Sequence, residues 1–187
     1  MPAVPVNANG AAGGAMPTIP TSVVGNWVTC HTDLEDTAES AADLLNPTSA
    51  TVNATVVPIR IGQNVSKVLL RSRRPAAATI TTSPVVRIYG LYCTDAVANT
   101  IDQAGTLPTD GTCIPIRLDN IDSGAAGVTI TLDATNDIND GTYKYSDVIS
   151  LTPMDLLGAR YLMVLVETAA NTSASAGQVI LQALLLN

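Results

Sequence analysis

Hydrophobic positions along the chain recur mostly with a period of two. Val128–Asp133 alternates cleanly, with Val128, Ile130 and Leu132 set against Thr129, Thr131 and Asp133, the pattern of a strand with one covered face. Comparable runs occupy Val52–Ile61 and Val65–Arg73, which flank Gly62-Gln63-Asn64 and read as a hairpin. Further runs lie at Thr79–Thr82, Pro84–Cys93, Thr112–Leu118, Tyr143–Leu151, Arg160–Thr168 and Gln178–Leu186. Turn residues punctuate them at Arg73-Arg74-Pro75, Asp110-Gly111 and the small-residue loop Ala169–Gly177. About eight short strands at this spacing predict an all-β fold, an antiparallel β-sandwich of jelly-roll-like build.

Two stretches depart from that period. Thr32-Asp33-Leu34-Glu35 matches a capping box, after which Leu34, Ala38, Ala41 and Leu45 share one face until Asn46-Pro47. This predicts a short helix over 33–46. A single helical turn is expected at Thr152-Pro153-Met154-Asp155, with Gly158 as its stop. Residues 1–25 carry Pro2, Pro5, Pro17 and Pro20, which block regular ladders, and Gly10, Gly13 and Gly14, which add backbone freedom. They are expected to form an extended N-terminal arm, leaving 26–187 as the sandwich domain. Such an arm gains order from a neighbouring chain or by folding back on its own domain, through Pro2, Val4, Val6, Met16 and Ile19.

The last two strands are apolar on both faces. Arg160–Thr168 shows Leu162, Val164 and Val166 on one side and Tyr161, Met163 and Leu165 on the other, and Val179, Leu181 and Leu185 extend the pattern in Gln178–Leu186. A strand of this kind is covered twice. Read as a terminal hairpin, it takes its second cover from another subunit, or from the 33–46 helix and the arm.

Composition sharpens the picture. The 187 residues are 47% hydrophobic but 3% aromatic, with no Phe, one Trp and five Tyr. Charged residues make up 13% and the net charge is −7. That charge is segregated: Arg60, Lys67, Arg71, Arg73, Arg74 and Arg87 are the only charged residues between 60 and 92, while eleven acids face three bases over 93–187. The basic strip Arg71, Arg73 and Arg74 is expected to meet acidic loops, in its own chain or in a neighbour. An isoelectric point near 4.4 argues against nucleic acid as the partner. No basic residue precedes Arg60, and the apolar run Tyr161–Val166 is bracketed by Arg160 and Glu167. It falls short of the ~20 residues of a membrane helix, so a soluble chain made in the cytosol, with no membrane partner, is expected. Cys30, Cys93 and Cys113 form an odd set without ligand spacing. Reduced thiols are the primary reading, and a Cys93–Cys113 bridge the alternative.

Catalytic chemistry has little to build on. His31 is the only histidine, and its neighbour Cys30 points to the opposite face of an extended segment. Phosphate-binding and nucleophile-elbow motifs are absent from the sequence. No enzyme and no cofactor are expected. Asp133, Asp137, Asn139 and Asp140 gather hard oxygen ligands in one loop and are weak Ca²⁺ candidates. The loop fails the EF-hand pattern at Ile138, and Asn, Asp and Gly make turns unaided.

Taken together, the Pro/Ala/Gly arm without basic residues, the Phe-free strands rich in Val, Thr, Ala and Asn, and the two-faced apolar terminal strands resemble the small structural proteins of tailed bacteriophages. Among these the chain resembles head decoration, or cement, proteins. That resemblance implies a homotrimer of jelly-roll-like sandwiches, assembled in the host cytoplasm and carried in the virion. Its partner would be the major capsid protein or another virion protein, with arms and loops bridging neighbouring capsid subunits. Two alternatives stand beside it: a tail or connector component, and a carbohydrate- or Ca²⁺-binding β-sandwich module for host recognition that uses the 133–141 loop.

Overall fold

The computed structural model describes residues 26–35, 56–61, 65–104, 111–119, 127–133, 135–151, 156–172 and 179–186. In chain order the elements are β1 (Trp27–His31), β2 (Ile59–Arg60), β3 (Lys67–Pro75), β4 (Ile80–Thr82), β5 (Val85–Tyr92), α1 (Asp95–Ala104), β6 (Ile114–Arg117), β7 (Val128–Thr129), β8 (Ile138–Asn139), β9 (Tyr143–Tyr145), β10 (Ile149–Leu151), β11 (Tyr161–Thr168), β12 (Asn171–Thr172) and β13 (Ile180–Leu186). They build two antiparallel sheets. The first runs β1-β13-β3-β9-β8, with β10 on the same edge of β3 as β9; the second runs β2-β11-β5-β6, with β7 beside β5. A small β4–β12 pair completes the structure. The all-β sandwich expected from the alternation is the observed fold. Strands outnumber the expected eight because several are two or three residues long; Tyr143–Leu151, for instance, divides into β9 and β10 around Ser146.

Side chains of one parity from each sheet meet in the middle. Val68 and Leu70 of β3, Leu181, Ala183 and Leu185 of β13, and Cys30 of β1 pack against Val86 and Ile88 of β5 and Leu162, Val164 and Val166 of β11. Each of the Val, Leu and Ile side chains contributes about 1.5–3 kcal/mol by leaving water. No Phe is needed, because β-branched residues fill the pleated surface densely.

Two expected hairpins are crossovers between sheets. β2 pairs with β11, whereas β3 pairs with β13, so the segments read as a hairpin around 62–64 lie in different layers. Likewise β11 pairs with β5 and β2, and β13 with β3 and β1. The last two strands therefore never pair with each other. Period two reports which side of a strand is apolar; it does not report which sheet holds the strand.

The second cover of β11 also differs from expectation. Tyr161, Met163 and Leu165 are fully buried within this chain, against Ala98 and Ile101 of α1 together with Val56, Cys93 and Cys113. Val179, Leu181 and Leu185 lie in the central core. None of these six is an exposed oligomer contact. The helix responsible, α1, falls where the periodicity places no element. It begins with Thr94 as cap, whose Oγ1 accepts the Val97 N–H at 3.4 Å, and Asp95 sits in its first turn.

Of the helix expected over 33–46, only 33–35 belong to the described residues, and they form a turn. The Asp33 carboxylate accepts the Glu35 N–H at 3.0 Å. Leu34 enters the core, donating its N–H to Val179 and accepting from Ala170. Residues 152–155 and the arm residues Pro2, Val4, Val6, Met16 and Ile19 lie outside the described residues. Gly158 does take the left-handed conformation of a helix stop (φ 74°), preceded by Leu157 at φ 50°. Among the described residues no helix is long and apolar enough to cross a membrane.

Candidate functional site

Strand β3 sorts the basic strip. Successive side chains point to opposite faces, so Val68, Leu70, Ser72 and Arg74 turn inward while Leu69, Arg71 and Arg73 turn to the outer face of the first sheet. Arg74 is accordingly not a partner-facing residue. Only 1% exposed, it donates Nε to Asp137 Oδ2 at 3.0 Å, Nη1 to the Ala78 carbonyl at 2.8 Å and Nη2 to the Asp133 carbonyl at 3.3 Å. Asp137 Oδ1 in turn accepts the Asp133 N–H at 2.9 Å. A guanidinium thus organises the Asp-rich loop.

The remaining oxygens of that loop hold its own backbone. Asp133 accepts the N–H groups of Thr135 and Asn136, and Asn139 accepts that of Gly141. Asp140 accepts from the N–H groups of Thr142 and Tyr143 and from the Tyr145 hydroxyl. These bonds, led by the Tyr143 N–H, hold the exposed Asp140 carboxyl below its ordinary value. Among the described residues no three His, Cys, Asp or Glu side chains converge to hold a metal ion.

The outer face of the first sheet brings together what the sequence scatters. The Arg71 guanidinium lies 3.9 Å from the Trp27 ring centroid on one side and 4.2 Å from that of Tyr145 on the other. Arg73 sits 4.3 Å over Tyr143. Trp27 reaches the cluster from β1, the tyrosines from β9 and the arginines from β3, so three distant segments contribute through register alone. Gln182, opposite Arg71 on β13, accepts its Nε–H at 3.1 Å and fixes the plane of the guanidinium. Burial beneath these rings lowers the Arg71 pKa from its ordinary value, with Tyr145 opposing. Each cation–π contact is worth about 0.5–1 kcal/mol at a half-exposed site.

Neither Arg71 nor Arg73 closes an ion pair with a carboxylate among the described residues. Half-buried Leu69, Leu184, Ile180 and Leu186 share this face. The result is a half-buried patch of stacked arginine, aromatic rings and leucine. Sequence reasoning found the arginines and missed the rings, because Trp27, Tyr143 and Tyr145 are remote from them in the chain.

Elsewhere, charged groups serve the fold. Asp95, at the start of α1, accepts from the Tyr161 hydroxyl and from Arg160 (3.2 Å), and pairs with Arg60 (3.4 Å), tying the helix to β2 and β11. His31 is fully buried and its Nδ1 accepts the Asp33 N–H at 3.1 Å. Arg117 and Asp119 form a buried pair at 2.9 Å, and Asp119 also accepts the Ile88 N–H.

Glu167 is held by Arg87 at 3.1 Å and by the Gly127 N–H. The Arg87 hydrogen bond, above all, keeps its carboxyl below the ordinary value of 4.5. A depressed folded pKa contributes stability that is present above pH 4.5 and lost as pH falls through the folded value. Urea midpoints should therefore decline more steeply below pH 4.5 in the wild type than in Glu167→Gln; parallel declines would remove Glu167 from the acid response.

No protein-family model, no curated protein and no solved structure matches this chain.

Proposed function

We propose that this chain is a structural protein of a virus particle, a decoration protein of a tailed-phage head, which docks on the major capsid protein through the outer face of its first sheet. The observation that carries the reading is the Trp27–Arg71–Tyr145 stack with Arg73 and Tyr143 beside it. Three of the six aromatic residues of the chain stand on this one half-exposed face. Trp, Tyr and Arg are the residues that dominate protein interfaces, because they present large rigid area and directed hydrogen bonds at low entropic cost. Held by Gln182 and two rings, Arg71 is oriented before a partner arrives, which reduces the ordering cost of binding.

The partner is then a protein surface bearing carboxylates near an apolar patch, to match the arginines and leucines. Many such contacts repeated over a shell sum to firm attachment without a single strong site. The resemblance to cement proteins supports a trimer, with the arm of residues 1–25 as a second point of attachment.

The test is co-sedimentation with capsids stripped of this protein. Arg71→Ala and Trp27→Ala are expected each to weaken binding by about 30-fold or more, as centrally placed interface residues do, with unchanged circular dichroism. Full binding by both variants, or co-purification of the chain with tail components alone, would overturn the reading.

A further inference from the structure

We infer that Cys93 and Cys113 are a redox-closing pair: a disulfide between them, formed by exchange with a low-molecular-weight disulfide, locks α1 onto the second sheet. The inference stands apart from the docking role and rests on the β5–β6 register. That ladder pairs Leu91 with Pro115 and Tyr92 with Ile114, so one further step sets Cys93 opposite Cys113. Pro115 has no N–H to donate, which marks Leu91–Pro115 as a position without cross-strand hydrogen bonds. The Leu118 N–H to Ile88 carbonyl bond, at 2.7 Å, places the bonded pairs at the alternate positions. Period two then makes Cys93–Cys113 another non-bonded pair. Such pairs have Cα atoms about 4.5 Å apart, within the roughly 4.4–6.8 Å that a disulfide spans. The two thiols are free and close enough to share a hydrogen bond.

Their surroundings assign the roles. Cys93 immediately precedes the cap of α1. Its thiol accepts a hydrogen bond from Cys113, with Arg160 adding positive charge, and both favour its thiolate. Cys113, as the donor, keeps its proton more tightly. The pair lies just under the rim of the sheet: Cys93 is 7% and Cys113 5% exposed, and Thr94, Gly111 and Thr112 beside them are exposed. Cys93 is therefore the attacking sulfur and Cys113 the resolving one.

In the first step the Cys93 thiolate attacks one sulfur of the small disulfide. The S–S bond breaks, a mixed disulfide forms on Cys93, and one small thiolate leaves and takes up the Cys93 proton. In the second, the Cys113 sulfur attacks Cys93, forming the protein disulfide and expelling the second small thiol with the Cys113 proton. Two protein thiols are oxidised and one small disulfide is reduced to two thiols. The closed loop contains all of α1, the element that covers Tyr161, Met163 and Leu165.

The test uses the full chain equilibrated in glutathione buffers of increasing oxidation, quenched in acid, with thiols counted by alkylation and intact mass. The three free thiols are expected to fall to one, with a peptide cross-link joining 93 to 113 and no glutathione retained. The melting temperature should rise by about 5–10 °C, reversibly on reduction. In Cys113→Ala the reaction should stop at glutathione bound to Cys93. Three thiols surviving the most oxidising buffer, glutathione retained on the wild type, a Cys113→Ala chain without adduct, or a cross-link with unmoved melting temperature would each overturn the inference. The wild-type measurements need no variant to fold.

Discussion

Arg74→Ala is expected to cost about 3–5 kcal/mol, because it leaves the Asp137 carboxylate buried without its partner. The side chains of this pair are 1% and 2% exposed, so water cannot replace what the substitution removes. The loss extends beyond one ion pair. Arg74 also donates to the carbonyls of Ala78 and Asp133, so β3, the turn after it and the Asp-rich loop are joined through one guanidinium. Arg73→Ala, one residue away on the exposed face, should cost less than about 1 kcal/mol. Urea denaturation of the two variants checks the contrast directly. Equal costs would mean that the alternation of β3 has been assigned wrongly. Replacing Arg74 and Asp137 together with Met and Leu is expected to recover much of the loss, since an apolar pair of similar volume avoids the desolvation of two charges.

Met163→Ala and Ile101→Ala should each lower stability by about 2–5 kcal/mol, the range for emptying a filled apolar site, while leaving the oligomeric state unchanged. Met163 projects from β11 toward α1, and Ile101 fills the same layer from the helix; both are fully buried within the one chain. If another subunit covered this face, Met163→Ala would instead lower the oligomer mass and hardly move the denaturation midpoint of the dissociated chain. Light scattering and urea melts on the same samples separate the two outcomes. Leu184→Ala, on the half-buried outer face of the first sheet, should instead leave stability little changed and weaken binding to stripped capsids.

Much of this fold was legible in the sequence. Alternation at Val128–Leu132 identified the inward side chains, although the strand there, β7, covers only Val128–Thr129. Comparable runs located β3 and β5, and the parity of Arg71, Arg73 and Arg74 already implied that one arginine must point the other way. Pairing was not legible, because β11 and β13 carry the same apolar signal whether they neighbour each other or face each other across a core. The helix α1 escaped because it is ten residues long and contains Val97, Thr100 and Ile101, which also suit strands. Its cap at Thr94-Asp95 was the available signal. The docking face was hidden for a different reason. Its rings and guanidiniums come from three segments, and only three-dimensional register brings Trp27, Arg71, Tyr143 and Tyr145 together. Asp-rich loops look alike in sequence whether a metal ion, a guanidinium or their own amides fill them; here Arg74, remote in sequence, was the missing partner.

The position of β13 between β1 and β3 also governs how the molecule comes into being. The Cys30 thiol donates to the Leu181 carbonyl across 151 residues of chain, and Trp27 meets Leu184 in the ladder. At about 5–20 residues per second of synthesis, the first strand waits on the order of ten seconds for the one that joins it to the sheet. During that interval β1 and β3 both present unpaired edges and a bare apolar side, the conditions under which nascent chains stick to one another. Folding of the first sheet is therefore a late event that follows translation of β13, and the yield of correctly folded protein should depend on how well the waiting chain is kept apart from its copies.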